Sequence, residues 1–110
     1  MLAVMQTFSK RVRDEDQAGA EAAGLRWLAE ATDAVVIVVR ADGKEIVTKR
    51  IDEVAPTPEA ARKFGAELAR VHRAGAQAFG SAPEGWEGKN FIGTIEQECT
   101  PTDDWGEFYT

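Results

Sequence analysis

An α+β fold is predicted for this chain by three observations. The β-branched run AVVIVV at 34–39 is followed by Asp42-Gly43 and then by EIVTKRI at 45–51. A tight-turn pair between two apolar runs reads as an antiparallel hairpin. Segments 16–31 and 58–74 carry apolar residues at helical spacing on either side of that hairpin. A small antiparallel sheet of about three strands is therefore expected to pack on the first helix. A connector, a long helix and an aromatic-pinned loop follow.

Each element has its own local warrant. Residues 2–12, LAVMQTFSKRV, alternate loosely, placing Val4, Gln6, Phe8, Lys10 and Val12 on one face of a strand. Arg13–Asp16 is a charged turn whose acids face the dipole of a following helix. In the helix at 16–31, Ala18, Ala22, Leu25 and Ala29 form one stripe with Leu28 beside it. Gly19 and Gly24 weaken that helix unless it packs closely against something. The run 34–39 is expected to be a buried strand and 45–51 its return strand. Thr57 is the expected N-cap of the second helix, Pro58 its first residue and Gly75 its C-cap. Ala61, Phe64, Leu68 and Val71 form its expected buried stripe. From Ala76 to Thr102 there is no sustained period, but Phe79, Trp86, Phe91 and Ile92 suggest an ordered loop. Thr102-Asp103-Asp104 reads as a helix start, continued for one turn by WGEFY. One helical turn carrying Trp105, Phe108 and Tyr109 is not stable alone. The expectation is a truncated chain, or a partner that covers this end.

Composition narrows the function. At 110 residues the chain builds one modest core. Its net charge of −6 gives no bulk attraction to nucleic acid or anionic membrane. A single cysteine, Cys99, excludes an internal disulfide and suits a reducing cytoplasm. The apolar run at 34–39 is too short to span a bilayer. Met1–Phe8 has neither a basic start nor a cleavage site and is not read as a signal peptide.

Most standard sites are missing from the sequence. It contains no Walker A pattern, no GxGxxG and no GxSxG. One histidine and one cysteine leave no His/Cys metal set. A Cys99–His72 nucleophile pair has no local support, and His72 suits a helix C-terminal position. Asp14, Glu15, Asp16, Asp103 and Asp104 suit helix starts. The pairing with chemical content is Lys10, on a predicted strand, and Glu21, in the next helix. Kinase-like folds hold a strand lysine against nucleotide phosphates with a helix glutamate. The same two residues also suit a solvated surface pair.

Several runs resemble the fructosamine kinase (ketosamine kinase) family in order. They are EAAGLRWLAEA at 21–31, TKRI at 48–51, FGAELARVHRAGAQAFGSAPEGW at 64–86, NFIGTIEQ at 90–97 and DDWGEFY at 103–109. The resemblance covers about Phe8 to Tyr109. It implies a protein-kinase-like, aminoglycoside-phosphotransferase-like fold, ATP with Mg²⁺ as cofactor, and a ketoamine substrate. It further implies that 1–54 is a partial N-lobe and 55–110 the start of a second lobe. TFSK at 7–10 then ends in the nucleotide-contacting Lys10, and Glu21 is its partner. Thr48, Lys49, Arg50 and Ile51 become the hinge beside the adenine, and 79–97 runs along the interlobe cleft. Lys49 stands where the family tends to carry an acid, and Cys99 where it usually has asparagine. No residue here is assigned as catalytic base or as a Mg²⁺ ligand. The expectation is an ATP-dependent phosphotransferase fragment in the cytoplasm, inactive until a complementing chain is supplied. The alternative is a non-catalytic interaction module, a homodimer through its C-terminal aromatics, and a third reading is a gene remnant without function.

Overall fold

The computed structural model describes residues 5–110, so the expected strand positions 2–4 lie outside the described residues. Strand β1 (Thr7–Arg11) leads into helix α1 (Glu15–Ala29). The hairpin β2 (Val38–Asp42) and β3 (Glu45–Lys49) follows. After it come helix α2 (Pro58–Ala74), strands β4 (Asn90–Ile92) and β5 (Ile95–Gln97), and helix α3 (Trp105–Tyr109). The first three strands form one antiparallel sheet in the order β1-β3-β2.

Residue-level chemistry explains where the elements start. Asp14 caps α1, its carboxylate accepting the Asp16 N–H at 2.8 Å. Thr57 caps α2 by accepting the Ala60 N–H at 3.0 Å, and the Gly75 N–H closes the far end on the Val71 carbonyl. Asp104 caps α3, accepting the N–H groups of Gly106 and Glu107.

One face of the sheet is covered by α1. Ala18 and Ala22 press on Ile46, with Val12, Leu25, Val38 and Ala41 packed around them. Alanines bring the helix axis close to the strands, and Ile46, 1% exposed, fills the space between them. Lys10 lies directly opposite Ile46 in the ladder, and Phe8 opposite Thr48. All four therefore share the face beneath α1. On the other face Ser9 of β1 donates to Glu45 of β3, which also takes the Arg40 guanidinium of β2 at 2.8 Å. The Ser9 hydroxyl and the Arg40 guanidinium hold the Glu45 carboxyl below its ordinary value, Ser9 contributing most.

The structure corrects several expectations. The run 34–39 is not a buried strand. Strand β2 begins at Val38, and Ile37 and Val39 are exposed. The reason is that β3 ends at Lys49, whose N–H reaches the Ile37 carbonyl and leaves 34–36 without a neighbouring strand. A sheet covered on one face also leaves alternate residues open. The turn is Gly43-Lys44 rather than Asp42-Gly43, since Asp42 still pairs with Glu45. Gly43 has φ of 49° and among the described residues no non-glycine residue, Lys44 included, has positive φ, the sign pattern of a type II′ turn. Helix α1 ends at Ala29, and both Leu28 and Ala29 are exposed, because the sheet reaches only its first three turns. The stripe of α2 is not buried either. Phe64 is 60% exposed and Leu68 40%, because among the described residues no element packs along that face. Strands β4 and β5 fall where only an irregular loop was expected.

Candidate functional site

Lys10 and Glu21 meet. The Lys10 ammonium lies 3.0 and 3.2 Å from the two carboxylate oxygens of Glu21. Strand β1 supplies the lysine from the sheet face, and α1 lays the glutamate over it. The side chains are 50% and 35% exposed, so the pair contributes at most about 1 kcal/mol to stability. Its chemical content is orientation: the carboxylate restrains a flexible stem and leaves the remaining ammonium protons for an anion.

A cavity of about 280 Å³ opens beside this pair, lined by Lys10, Gln17, Glu21, Asn90, Phe91 and Gly93. Its far wall comes from the β4–β5 hairpin, which sequence reasoning missed. Three-residue strands show no usable alternation. The available signal was Gly93, flanked by Ile92 and by Thr94-Ile95.

The hinge residues gather elsewhere. Thr48, Lys49, Arg50 and Ile51 line a separate groove of about 720 Å³ with Phe8 and Val36. Phe8 and Lys10 are two residues apart on one face of β1, so groove and cavity follow each other along the strand at a spacing of about 7 Å. Two of the expected hinge donors are already used. The Lys49 N–H donates to the Ile37 carbonyl and the Arg50 N–H to the Gln6 carbonyl, both at 2.9 Å. Neither is available to an adenine ring, which leaves Ile51 and the exposed backbone after it.

The first turn of α1 is tied to the segment before β4. The Lys89 ammonium meets the Asp14 carboxylate at 2.6 Å, and the Lys89 N–H donates to Asp16 at 2.9 Å. Gln17 donates to the Gly93 carbonyl at 2.9 Å. Trp86 lies against Gly19, where a Cβ would sit 2.4 Å from the indole ring. The indole N–H is held by the Lys89 carbonyl at 2.9 Å.

Lys89 pulls the Asp14 carboxyl below its ordinary 3.8, helped by the Asp16 N–H, and Asp14 in turn raises Lys89 above 10.5. A lowered carboxyl stabilises the fold above its unfolded value and loses that contribution as pH falls through its folded value. A raised ammonium stabilises below 10.5 and loses its contribution as pH rises through its folded value. The tie is thus expected to hold between these limits. In an NMR titration the Asp16 amide, which donates to Asp14, should stay fixed near neutrality and move below pH 3.8. Movement of that amide around pH 6 would contradict it.

No three His, Cys, Asp or Glu side chains converge to hold a metal ion among the described residues. His72 lines an apolar groove of about 420 Å³ with Trp27, Leu28 and Val71, far in sequence from Cys99. Phe79, Trp105, Phe108 and Tyr109 form a chain of aromatic contacts with centroids 5.4 to 6.1 Å apart. Among the described residues no helix is long and apolar enough to cross a membrane.

Comparison with known proteins gives two findings. The family model described as fructosamine kinase matches residues 8–110. Among solved structures, the chain is similar to the crystal structure of a candidate fructosamine-3-kinase from Thermobifida fusca YX-ER1. Identity is 36% and the TM-score 0.83, over 96% of this chain and 37% of that one. The chain thus spans little more than a third of the length of the structure it matches. No curated protein matches. The three-stranded antiparallel sheet with its helices is accordingly the α+β, kinase-like arrangement expected from the sequence.

Proposed function

The chain belongs to the fructosamine kinase family, and from that premise we propose that it serves an ATP-dependent phosphotransferase acting on ketoamines, the adducts of a sugar with an amine. The observation that carries the reading is the Lys10–Glu21 pair at 3.0 Å, next along β1 from the groove at Thr48–Ile51. ATP, when bound, supplies the phosphoryl group. Lys10 places a positive charge on its phosphate oxygens, and Glu21 keeps that charge in one position. Positioning and charge stabilisation are the main catalytic demands of phosphoryl transfer. Phe8 and Ile51 offer apolar surface to a flat ring, and the free backbone at Ile51 offers the polar contacts. A cytoplasmic site of action accords with ATP as cosubstrate. Lobes divided near residues 54 and 55 would place the nucleotide on the first. Chemistry on the ketoamine also requires a base and metal ligands, which this reading does not place on Lys10 or Glu21.

Calorimetric titration with Mg-ATP tests it. Removing the ammonium in Lys10→Met deletes charge-assisted contacts of about 1.5–3 kcal/mol, a loss of roughly tenfold to a hundredfold in affinity. Equal binding by this variant, or no binding by the parent chain, overturns the proposal.

The open side chains Phe64, Leu68, Trp105 and Tyr109 favour a second reading, a non-catalytic interaction module that self-associates. A dimer in sedimentation that Trp105→Ser dissolves would support it. A monomer at all concentrations would count against it.

A further inference from the structure

The tie between α1 and the segment before β4 makes a chain of contacts that ends at Glu21. Asp14, Gln17 and Glu21 are spaced i, i+3, i+7 and so share one face of α1. The first two are held from residues 89–93: Asp14 by the Lys89 ammonium and Gln17 by the Gly93 carbonyl. Glu21 is the next residue on that face, and among the described residues its partner is Lys10. An exposed ion pair does not hold two long side chains in one geometry by itself. The axial position and rotation of α1 must do so, and its first turn is fixed by this tie. On the opposite side of the helix start, Trp86 fits against Gly19 and Gly88, each of which would clash with it if it carried a Cβ. The contact is therefore shaped as well as charged.

We infer that Lys89 is a positioning residue for the Lys10–Glu21 pair: by fastening Asp14 and Asp16 it sets the rotation of α1 that presents Glu21 to Lys10, and thereby tunes affinity for a nucleotide phosphate. The inference rests on the proposed role of Lys10. Lys89 itself does not line the cavity and acts only through the helix. The hairpin that closes the cavity and the helix that forms its floor are joined at this residue. A nucleotide that tightens the Lys10–Glu21 pair should reciprocally protect the Lys89 amide.

Two readouts separate this inference from the reading on which it rests. The first is nucleotide-free. The ¹³C shift of the Glu21 side-chain carboxyl is recorded with and without Lys10→Met, in the parent and in a Lys89→Glu background. A large response in the parent that falls by about half or more in Lys89→Glu supports positioning. An equal response in both backgrounds overturns it, whether or not ATP binds. The second is Mg-ATP affinity, expected to weaken about fivefold or more in Lys89→Glu and to be kept in Lys89→Arg, which preserves the ion pair with Asp14. Unchanged affinity in Lys89→Glu, with Lys10→Met impaired, overturns positioning and leaves the role of Lys10 standing. No binding by the parent overturns the role of Lys10, and the carboxyl readout then decides the positioning claim alone. If Lys89→Glu lacks a dispersed spectrum, Lys89→Gln, which removes the charge without repulsion, replaces it in both measurements.

Discussion

Gly19→Ala is expected to destabilise the chain, while Gly24→Ala, on the same helix, is expected to stabilise it. Alanine is the better helix former by about 1 kcal/mol at an exposed interior site. At Gly24 nothing lies within 4 Å of the added Cβ, so that gain is realised. At Gly19 the Cβ would stand 2.4 and 2.5 Å from two carbons of the Trp86 ring. The indole cannot slide away, because its N–H is bonded to the Lys89 carbonyl and Gly88 is packed against the ring as well. Overpacking of this kind costs about 1–3 kcal/mol, and here it also loosens Lys89 from Asp14 and Asp16. Urea denaturation followed by tryptophan emission reads both variants. In a Trp86→Leu background the penalty at Gly19 should vanish. A more stable Gly19→Ala would mean that Trp86 does not rest where it is described.

The second large effect is at Ile46. Ile46→Ala removes the one large side chain among the described residues that is fully buried, at the point where β3 meets Ala18 and Ala22. Truncation at such a site costs about 2–5 kcal/mol, against a total of roughly 5–15 kcal/mol for an ordinary domain. The helix residues pressed on it are Ala18 and Ala22, which cannot lean in to fill the space. The expected result is a urea midpoint lowered to the edge of the native baseline, or no cooperative transition at all. Phe64→Ala is the control. Phe64 is 60% exposed, and its loss should change stability by about 0.5 kcal/mol or less. A larger effect for Phe64 than for Ile46 would show that α2 is covered in solution.

These variants mark what can be read from sequence. The bounds of α2 were legible because Thr57, Pro58 and Gly75 each act on their own neighbours. The pairing of Lys10 with Glu21 was legible because strand and helix are consecutive, so few geometries connect them. The fate of Phe64 and Leu68 was not. An amphipathic stripe states that a face is apolar, and what covers it depends on elements elsewhere. The small core was misjudged for a related reason: AVVIVV outranks Ile46 in apolar content, yet pairing stops at Ile37, and the centre of the sheet falls one strand later. The tie from Asp14 to Lys89 crosses most of the chain, and neither residue carries a local mark of the other. The two glycines of α1 did signal close packing, but only coordinates distinguish Gly19, which has a neighbour, from Gly24, which has none.

The sheet order β1-β3-β2 also bears on the sequence of events in folding. Strands β2 and β3 are joined by Gly43-Lys44 and can zip up locally, on a timescale of about 1–10 μs. Strand β1 must find β3 across all of α1 and β2, a closure with a larger entropic cost. The hairpin is thus expected to be the template and β1 the late arrival, docking together with the helix whose alanines cover Ile46. On that order Lys10 reaches Glu21 in the last event. Mutations that slow the docking of α1, rather than the zipping of the hairpin, should govern how fast the folded chain emerges from the unfolded state.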